Sequence, residues 1–386
     1  MNAPRPFAPG FRLGVLGGGQ LGRMLLQAAI DFNLEVAVMD PDPQAPCASL
    51  TPLFRHGSIT DAQSVVEFGR QCHVLTIEIE NVSAEGLRAL EGMGVQVRPP
   101  ARVVELIQDK RAQKQFYRDN GIPTAPFVLT RDRAEVEALA HWLPAVHKLG
   151  REGYDGRGVQ IIRTPEQLHK AFDKPGLLEK LIDFKKEISV IVARNASGQT
   201  QAFPAVELVY HPEHNLVDYL VSPAAIEPAE ESAAHALALE IAQKIQLVGI
   251  LAVEMFLLHD GSLMVNEMAP RTHNSGHQSI EANFSSQFEQ HLRAVLDLPL
   301  ASTREKIPSA MVNLLGQDGH SGPARYLGME EVLSIEGASV HLYGKANTKP
   351  FRKMGHVTVV DHDRGRLVEK IHQVKRCLRV VSQAQN

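Results

Sequence analysis

Two acids embedded in apolar sequence carry the clearest chemical signal. One lies in Leu251-Ala252-Val253-Glu254-Met255-Phe256-Leu257-Leu258, the other in Leu263-Met264-Val265-Asn266-Glu267-Met268, and His259-Asp260-Gly261-Ser262 separates the runs. Asp-Gly is a favoured hairpin turn. A turn centred between Asp260 and Gly261 sets Leu258 opposite Leu263, Phe256 opposite Val265 and Glu254 opposite Glu267. Loops of two and of four residues give this same register. Directly opposed side chains have Cβ atoms roughly 5 Å apart, where like charges repel. Such a pair persists among apolar neighbours if it shares a proton or binds a cation. Mg²⁺ prefers oxygen ligands and is commonly held by one or two carboxylates plus substrate phosphates. The spacing therefore points to Glu254 and Glu267 as magnesium ligands at an ATP site. The bland alternative, two acids on a solvated ribbon face, is opposed by Phe256, Leu258, Leu263 and Val265.

Cations and a glycine turn stand upstream. Lys148 ends the strand-like run Ala145-Val146-His147-Lys148, and Gly153-Tyr154-Asp155-Gly156-Arg157-Gly158 follows. A lysine beside a glycine loop that closes over polyphosphate neutralises charge and excludes water from a reactive intermediate. Leu177-Leu178-Glu179-Lys180-Leu181-Ile182 and then Glu187 come next. An acid ending an apolar strand suits an adenine amine beside linker backbone, and a second acid suits ribose hydroxyls. Taken singly, Glu179, Glu187 and Lys110 read more readily as surface charges, Lys110 on a helix surface; their order along the chain is what gives them weight.

The N-terminal Gly17-Gly18-Gly19-Gln20-Leu21-Gly22 lies between an apolar strand and a helix, and Asp40 ends the next strand. This matches the dinucleotide fingerprint and suggests, taken alone, an NAD-dependent oxidoreductase. Glycines, however, admit any phosphate to a helix N-terminus. The preferred reading is that Gly19, Gln20 and Leu21 hold the phosphate of a ribonucleotide substrate; a turn with no ligand is the other option.

Strands at 12–16, 35–39, 74–79 and 95–97 alternate with helices at 20–32, 63–71 and 83–92, which predicts a parallel α/β unit. Pro99-Pro100 closes it. One helix over 103–119 follows, then strands near 145–149, 158–162, 176–180 and 187–193, and a long helix at 230–245 before the acidic hairpin. The net charge of −4, without a basic stripe, argues against nucleic acid as a partner. No run approaches the roughly 18 apolar residues of a membrane span. Cys47, Cys72 and Cys377 are too scattered for a disulfide framework, which suggests a reducing cytoplasm.

The string Asn266-Glu267-Met268-Ala269-Pro270-Arg271-Thr272-His273-Asn274-Ser275-Gly276-His277 resembles the ATP-grasp carboxylate–amine ligases. Within them it resembles the 5-(carboxyamino)imidazole ribonucleotide synthases. So do Gly17–Met24, Glu78-Ile79-Glu80-Asn81-Val82, Gly153–Gly158, Tyr343-Gly344-Lys345 and Arg352-Lys353-Met354-Gly355-His356. One departure is Ala269, where most ATP-grasp enzymes carry a metal-binding Asn. The resemblance implies an ATP-grasp fold, α/β and α+β. It divides the chain into a nucleotide-substrate domain at 1–100, a lid domain at 101–197, and a catalytic domain with a small terminal subdomain at 198–386.

The implied reaction is carboxylation of 5-aminoimidazole ribonucleotide by ATP and bicarbonate through carboxyphosphate, with one or two Mg²⁺ ions, in a homodimer. Another ATP-grasp ligase, such as a formyltransferase, is the nearest alternative. The resemblance assigns Lys110, Lys148, residues 153–158, Glu179, Lys180, Leu181, Ile182, Glu187, Asn266 and Glu267 to ATP. Glu80, Tyr154, Asp155 and Arg157 would hold the imidazole and ribose. Lys345 and Arg352 would bind its phosphate and serve in catalysis. Arg271, His273 and Asn274 would hold bicarbonate or carboxyphosphate. His273 and His277 as a zinc pair is a minor alternative, with no third ligand evident.

Overall fold

The computed structural model describes residues 5–151, 153, 158–210 and 216–383. The first sheet has five parallel strands, spatially ordered Phe54–His56, Glu35–Asp40, Arg12–Leu16, Val74–Ile77, Gln96–Val97. The short strand Phe54–His56 was not foreseen; only three residues long, it carries no readable periodicity. Helices cover the sheet because its strands are apolar along their whole length: Leu13, Val15, Leu16, Val38, Leu75 and Ile77 are all buried. Strand Val74–Ile77 stops short of the expected end, so Glu78 and Glu80 lie just beyond its carboxyl edge. Ligands gather at that edge in open α/β sheets.

The predicted helix over 103–119 is two helices, Ala101–Ile107 and Lys110–Asp119. Asp109 breaks the run by capping the second, accepting from the Arg111 amide at 3.0 Å. Lys110 therefore begins a helix, with its ammonium aimed into the cleft, instead of lying on a helix surface.

A four-stranded antiparallel sheet follows, ordered Phe127–Thr130, Gly176–Lys180, Ala145–Leu149, Val159–Ile162. The strand Lys186–Arg194, grouped by the sequence with this middle region, pairs instead along its whole length with Gly249–Leu257 in a nine-stranded sheet. Seven of its residues in a row are buried, as a strand covered on both faces requires. Helix Pro228–Lys244 packs Ala234, Ala238, Ile241 and Ala242 against that sheet, where Val103, Ile107 and Tyr117 join the same core. The far end of the sheet, Ser309–Leu315, Lys353–Val360 and Ala338–Leu342, carries the C-terminal motif residues.

The first sheet docks on the large one through helix Gln287–Val295, where buried His291 shares a hydrogen bond of 2.8 Å with Thr76 Oγ1. Burial lowers the imidazole pKa to about 4, and that of His147 in the middle sheet likewise. Each group binds its proton more weakly folded than unfolded, where the pKa is about 6.5. Their contribution is complete above pH 6.5 and is lost as pH falls towards 4. At pH 5 the loss is about 2 kcal/mol for a group shifted this far. Thermal melts from pH 7 to 5 should show a falling midpoint, and a flat profile would contradict the neutral His291.

Candidate active site

Glu254 and Glu267 are register partners on adjacent antiparallel strands, as the sequence predicts. The register nearer the turn differs. Leu257 pairs with Leu263 and Met255 with Val265, one residue away from the predicted pairing. The loop is the reason: His259, Asp260 and Gly261 form a three-residue turn closed by Leu258 N donating to Ser262 O at 2.9 Å, with Gly261 at φ +82°. A β-bulge at Asn266 then restores the register at the two acids. Bulges re-aim side chains. Here Asn266 Oδ1 accepts from Lys148 Nζ at 2.9 Å while Glu267, the next residue, pairs with Lys110 Nζ.

The acids differ electrostatically. Burial, with Glu267 and Glu187 nearby, pushes the Glu254 pKa far above the carboxylate range. Lys110 holds Glu267 low. Burial also lifts Glu187 to about 7, against hydrogen bonds from Tyr210 (3.1 Å) and Asn266 (3.3 Å). The neighbouring lysines form a closed group. Glu179, 3% exposed, has Lys114 Nζ at 2.9 Å and Lys148 Nζ at 3.0 Å. Burial works against its charge, but the two lysines outweigh it and hold the pKa low. Both Glu179 oxygens are thus engaged by lysines, so any contact with an adenine amine falls to its backbone. The cavity among these residues is about 10 Å³, room for one water. A polyphosphate has to part Lys110 from Glu267 to enter.

Lys114 was missed by sequence reasoning. Its signal was its place one helical turn after Lys110, on the same face. Lys180 turns away, donating to Trp142 O at 2.8 Å, and the Leu181 amide donates to Pro144 O. Ile182 follows half-buried. Of the glycine turn, Gly153 and Gly158 are described; Tyr154, Asp155, Gly156 and Arg157 lie outside the described residues.

Beyond Glu267, Arg271 pairs with Glu80 at 2.8 Å, and His273 Nε2 lies 3.7 Å from Glu254 Oε1. The Asn274 side chain exchanges hydrogen bonds with Asn313 at 2.9 and 3.2 Å. His277 is fully buried, bonded to Gln287 and stacked on Phe288, and among the described residues no cluster of three metal-binding side chains occurs. Two carboxylates suit Mg²⁺ that completes its shell with phosphate and water. Lys345 Nζ donates to Gln20 Oε1 at 2.7 Å, joining the N- and C-terminal motifs, and Arg352 donates to Asn347 O.

The glycine turn departs from the phosphate reading at three amides. Gly18 N donates to Asp40 Oδ2 at 2.6 Å, and Gly19 N and Gly22 N donate to the two oxygens of Glu78 at 2.8 Å. Glu78 is buried at the position a dinucleotide phosphate would take. Gly19 is thereby removed from the phosphate ligands, while the amides of Gln20 and Leu21 make no hydrogen bond among the described residues. The glycines make room for this acid: a Cβ on Gly19 would meet Glu78 Oε1 at 2.6 Å, and one on Gly17, at φ +98°, would overlap Glu78 Cγ. Gly17→Ala should destabilise by about 2 kcal/mol or more, combining overpacking and left-handed backbone. Adding Glu78→Ala should recover only the overpacking part in denaturant titrations.

The opposed acids, the converging lysines and the arrangement of the parallel, middle and nine-stranded sheets define an ATP-grasp enzyme. The ATP-grasp domain model matches residues 115–288, the ribonucleotide synthetase preATP-grasp domain model 11–108, and the phosphoribosylaminoimidazole carboxylase C-terminal domain model 309–370. The chain is 38% identical to the N5-carboxyaminoimidazole ribonucleotide synthase of Synechococcus elongatus, over 91% of this chain and 90% of that protein. It is 34% identical to that of Bacillus subtilis, over 94% and 95%. The solved synthetase of Thermotoga maritima superposes with a TM-score of 0.90, at 38% identity, over 97% of this chain and all of that one. The Aspergillus clavatus synthase in complex with ADP and 5-aminoimidazole ribonucleotide superposes with a TM-score of 0.86, at 33% identity, over 95% and 98%. The chain belongs to the N5-carboxyaminoimidazole ribonucleotide synthase family.

Proposed function

We propose that this enzyme carboxylates the exocyclic amine of 5-aminoimidazole ribonucleotide with ATP and bicarbonate in purine biosynthesis. The observation that carries the reading is Glu254 opposite Glu267, with Lys110 and Lys148 converging on the same cleft. A bicarbonate oxygen attacks the γ-phosphorus, the bond to the β-phosphate oxygen breaks, and ADP leaves. The amine nitrogen then attacks the carbon of carboxyphosphate, the carbon–oxygen bond to phosphate breaks, and the nitrogen gives up a proton as inorganic phosphate departs. Phosphoryl transfer leaves the protein mainly positioning and charge neutralisation.

Lys110 and Lys148 neutralise the polyphosphate, and Glu187 faces the nucleoside with Asn266 and Tyr210 holding it in place. Glu254 and Glu267 would hold Mg²⁺, which when bound shields phosphate charge. Arg271, fixed by Glu80, and His273, beside Glu254, suit the bicarbonate carboxylate. Lys345 and Arg352 suit the ribonucleotide phosphate. A homodimer and a cytoplasmic setting complete the proposal. For the second, support comes from Cys47, Cys72 and Cys377, all free thiols.

The test is ADP release from enzyme, ATP, Mg²⁺ and bicarbonate with and without 5-aminoimidazole ribonucleotide. Release should require the ribonucleotide; release indifferent to it, or satisfied by another acceptor amine, would overturn the reading.

A further inference from the structure

The loop that carries Arg271 and His273 leaves the nine-stranded sheet at Ala269 and enters a short turn at Asn274–Gly276. The His273 ring is set from within that turn. Its Nδ1 lies 2.9 Å from Ser275 Oγ, which lies 2.8 Å from Ser189 Oγ. The His273 backbone is set from outside. Gln287, fully buried at the start of helix Gln287–Val295, lays its side-chain amide on the peptide groups of His273. The His273 N–H donates to Gln287 Oε1 at 2.8 Å, and Gln287 Nε2 donates to the His273 carbonyl at 2.7 Å. Gln287 Nε2 is also 3.0 Å from His277 Nδ1. One amide thus spends its acceptor and both its donors on this loop.

The loop is shaped round that amide. A Cβ on Gly276 would lie 2.7 Å from Gln287 Cδ. Ser279 Oγ accepts from the Gln287 backbone N–H at 2.9 Å and donates to Gly276 O at 2.5 Å. One helical turn after Gln287, His291 bonds Thr76 of the first sheet, four residues before Glu80, the partner of Arg271. The helix therefore holds the loop and the first sheet in one frame. Gln290, on the same helix, makes a similar clamp elsewhere. It is also fully buried, donates to Ala301 O at 2.6 Å and accepts from the Ala301 N–H at 3.1 Å. Ala301 is none of the residues assigned to a substrate.

We propose that Gln287 is a positioning residue for the carboxylating chemistry: by fixing the His273 peptide it places the imidazole against bicarbonate and carboxyphosphate. The proposal rests on the bicarbonate role given to Arg271 and His273 under the proposed function. Gln287 acts through His273, and a misplacement of about 1 Å at a reacting group costs up to about a hundredfold in rate.

The test sets Gln287→Met beside Gln290→Met, reading ribonucleotide-dependent ADP release and thermal melts. Each variant deletes a buried amide that clasps one residue's backbone, so both should melt below wild type. Only Gln287→Met should raise KM for bicarbonate, by about tenfold or more, with KM for ATP within about twofold of wild type. Gln290→Met should keep the wild-type KM for bicarbonate. Gln287→Glu keeps the shape and the acceptor for the His273 N–H, and should fall between Gln287→Met and wild type. Paired with Gln290→Glu, it repeats the comparison if the methionine variants fail to fold. Equal KM values for bicarbonate in the 287 and 290 variants, or a loss in Gln287→Met shared equally between bicarbonate and ATP, would overturn the proposal while the carboxylation stands. Wild-type ADP release that ignores bicarbonate would instead remove the reading of the site, and this proposal with it.

Discussion

Glu267→Gln should lower ribonucleotide-dependent ADP release by roughly three orders of magnitude, and Glu254→Gln by a similar factor. Each removes an oxygen ligand from a metal whose charge stabilisation is worth several kcal/mol. The two variants should part on stability. Burial and the neighbouring acids push Glu254 towards its neutral form, which glutamine mimics. Its melting transition should stay within roughly 0.5 kcal/mol of wild type. Glu267 is ionised by Lys110, whose side chain is 20% exposed. Glutamine there leaves the ammonium without its partner, at about 1–3 kcal/mol. Both variants should also lose the rise in melting temperature that Mg²⁺ with ADP gives the wild type. Wild-type turnover in either variant, or an unchanged Mg²⁺–ADP shift, would remove the metal role from this pair.

That pair was readable for a reason that nearly failed. The sequence places Glu254 opposite Glu267 by assuming a loop with an even number of residues, and the loop has three. The bulge at Asn266 cancels the error at the acids, leaving it visible only between the bulge and the turn, where Met255 and Leu257 replace Phe256 and Leu258 opposite Val265 and Leu263. Alternation of apolar residues reports which face a side chain takes, but bulges and left-handed turn residues leave no periodic trace. The break at Asp109 was hidden similarly: the run on both sides is helical, and only the cap side chain marks the join. The glycine turn misled because its spacing is the same whether a phosphate or the Glu78 carboxylate occupies it. Contacts such as Lys345 with Gln20, 325 positions apart, lay beyond any local pattern; only the resemblance brought those two residues into one site.

The lysine pair beneath the cleft carries the other large effect. Glu179→Gln should destabilise the protein by about 3–5 kcal/mol, because removing one partner of a buried ionic group strands the rest. Here two cations are stranded: the side chains of Lys114 and Lys148 are 4% and 10% exposed, and Glu179 contacts both. Burial already lowers Lys114 to about 8 with Glu179 present. Without the carboxylate that pKa falls further below its unfolded value of about 10.4, so the folded state holds fewer protons between the two. The variant should therefore gain stability as pH rises from neutrality towards 10, more steeply than wild type. Lys114→Met in the Glu179→Gln background should recover part of the loss, since one stranded cation is then gone. Lys114→Met alone should be milder, as Glu179 keeps Lys148. A positive coupling in this double-mutant cycle, read by denaturant unfolding, is the signature of a shared ionic group. KM for ATP should rise about tenfold or more in Glu179→Gln as Lys148 loses its anchor. A Glu179→Gln protein that melts within 1 kcal/mol of wild type would mean that water, not the carboxylate, balances those lysines, and Lys148 would then owe its position to Asn266 alone.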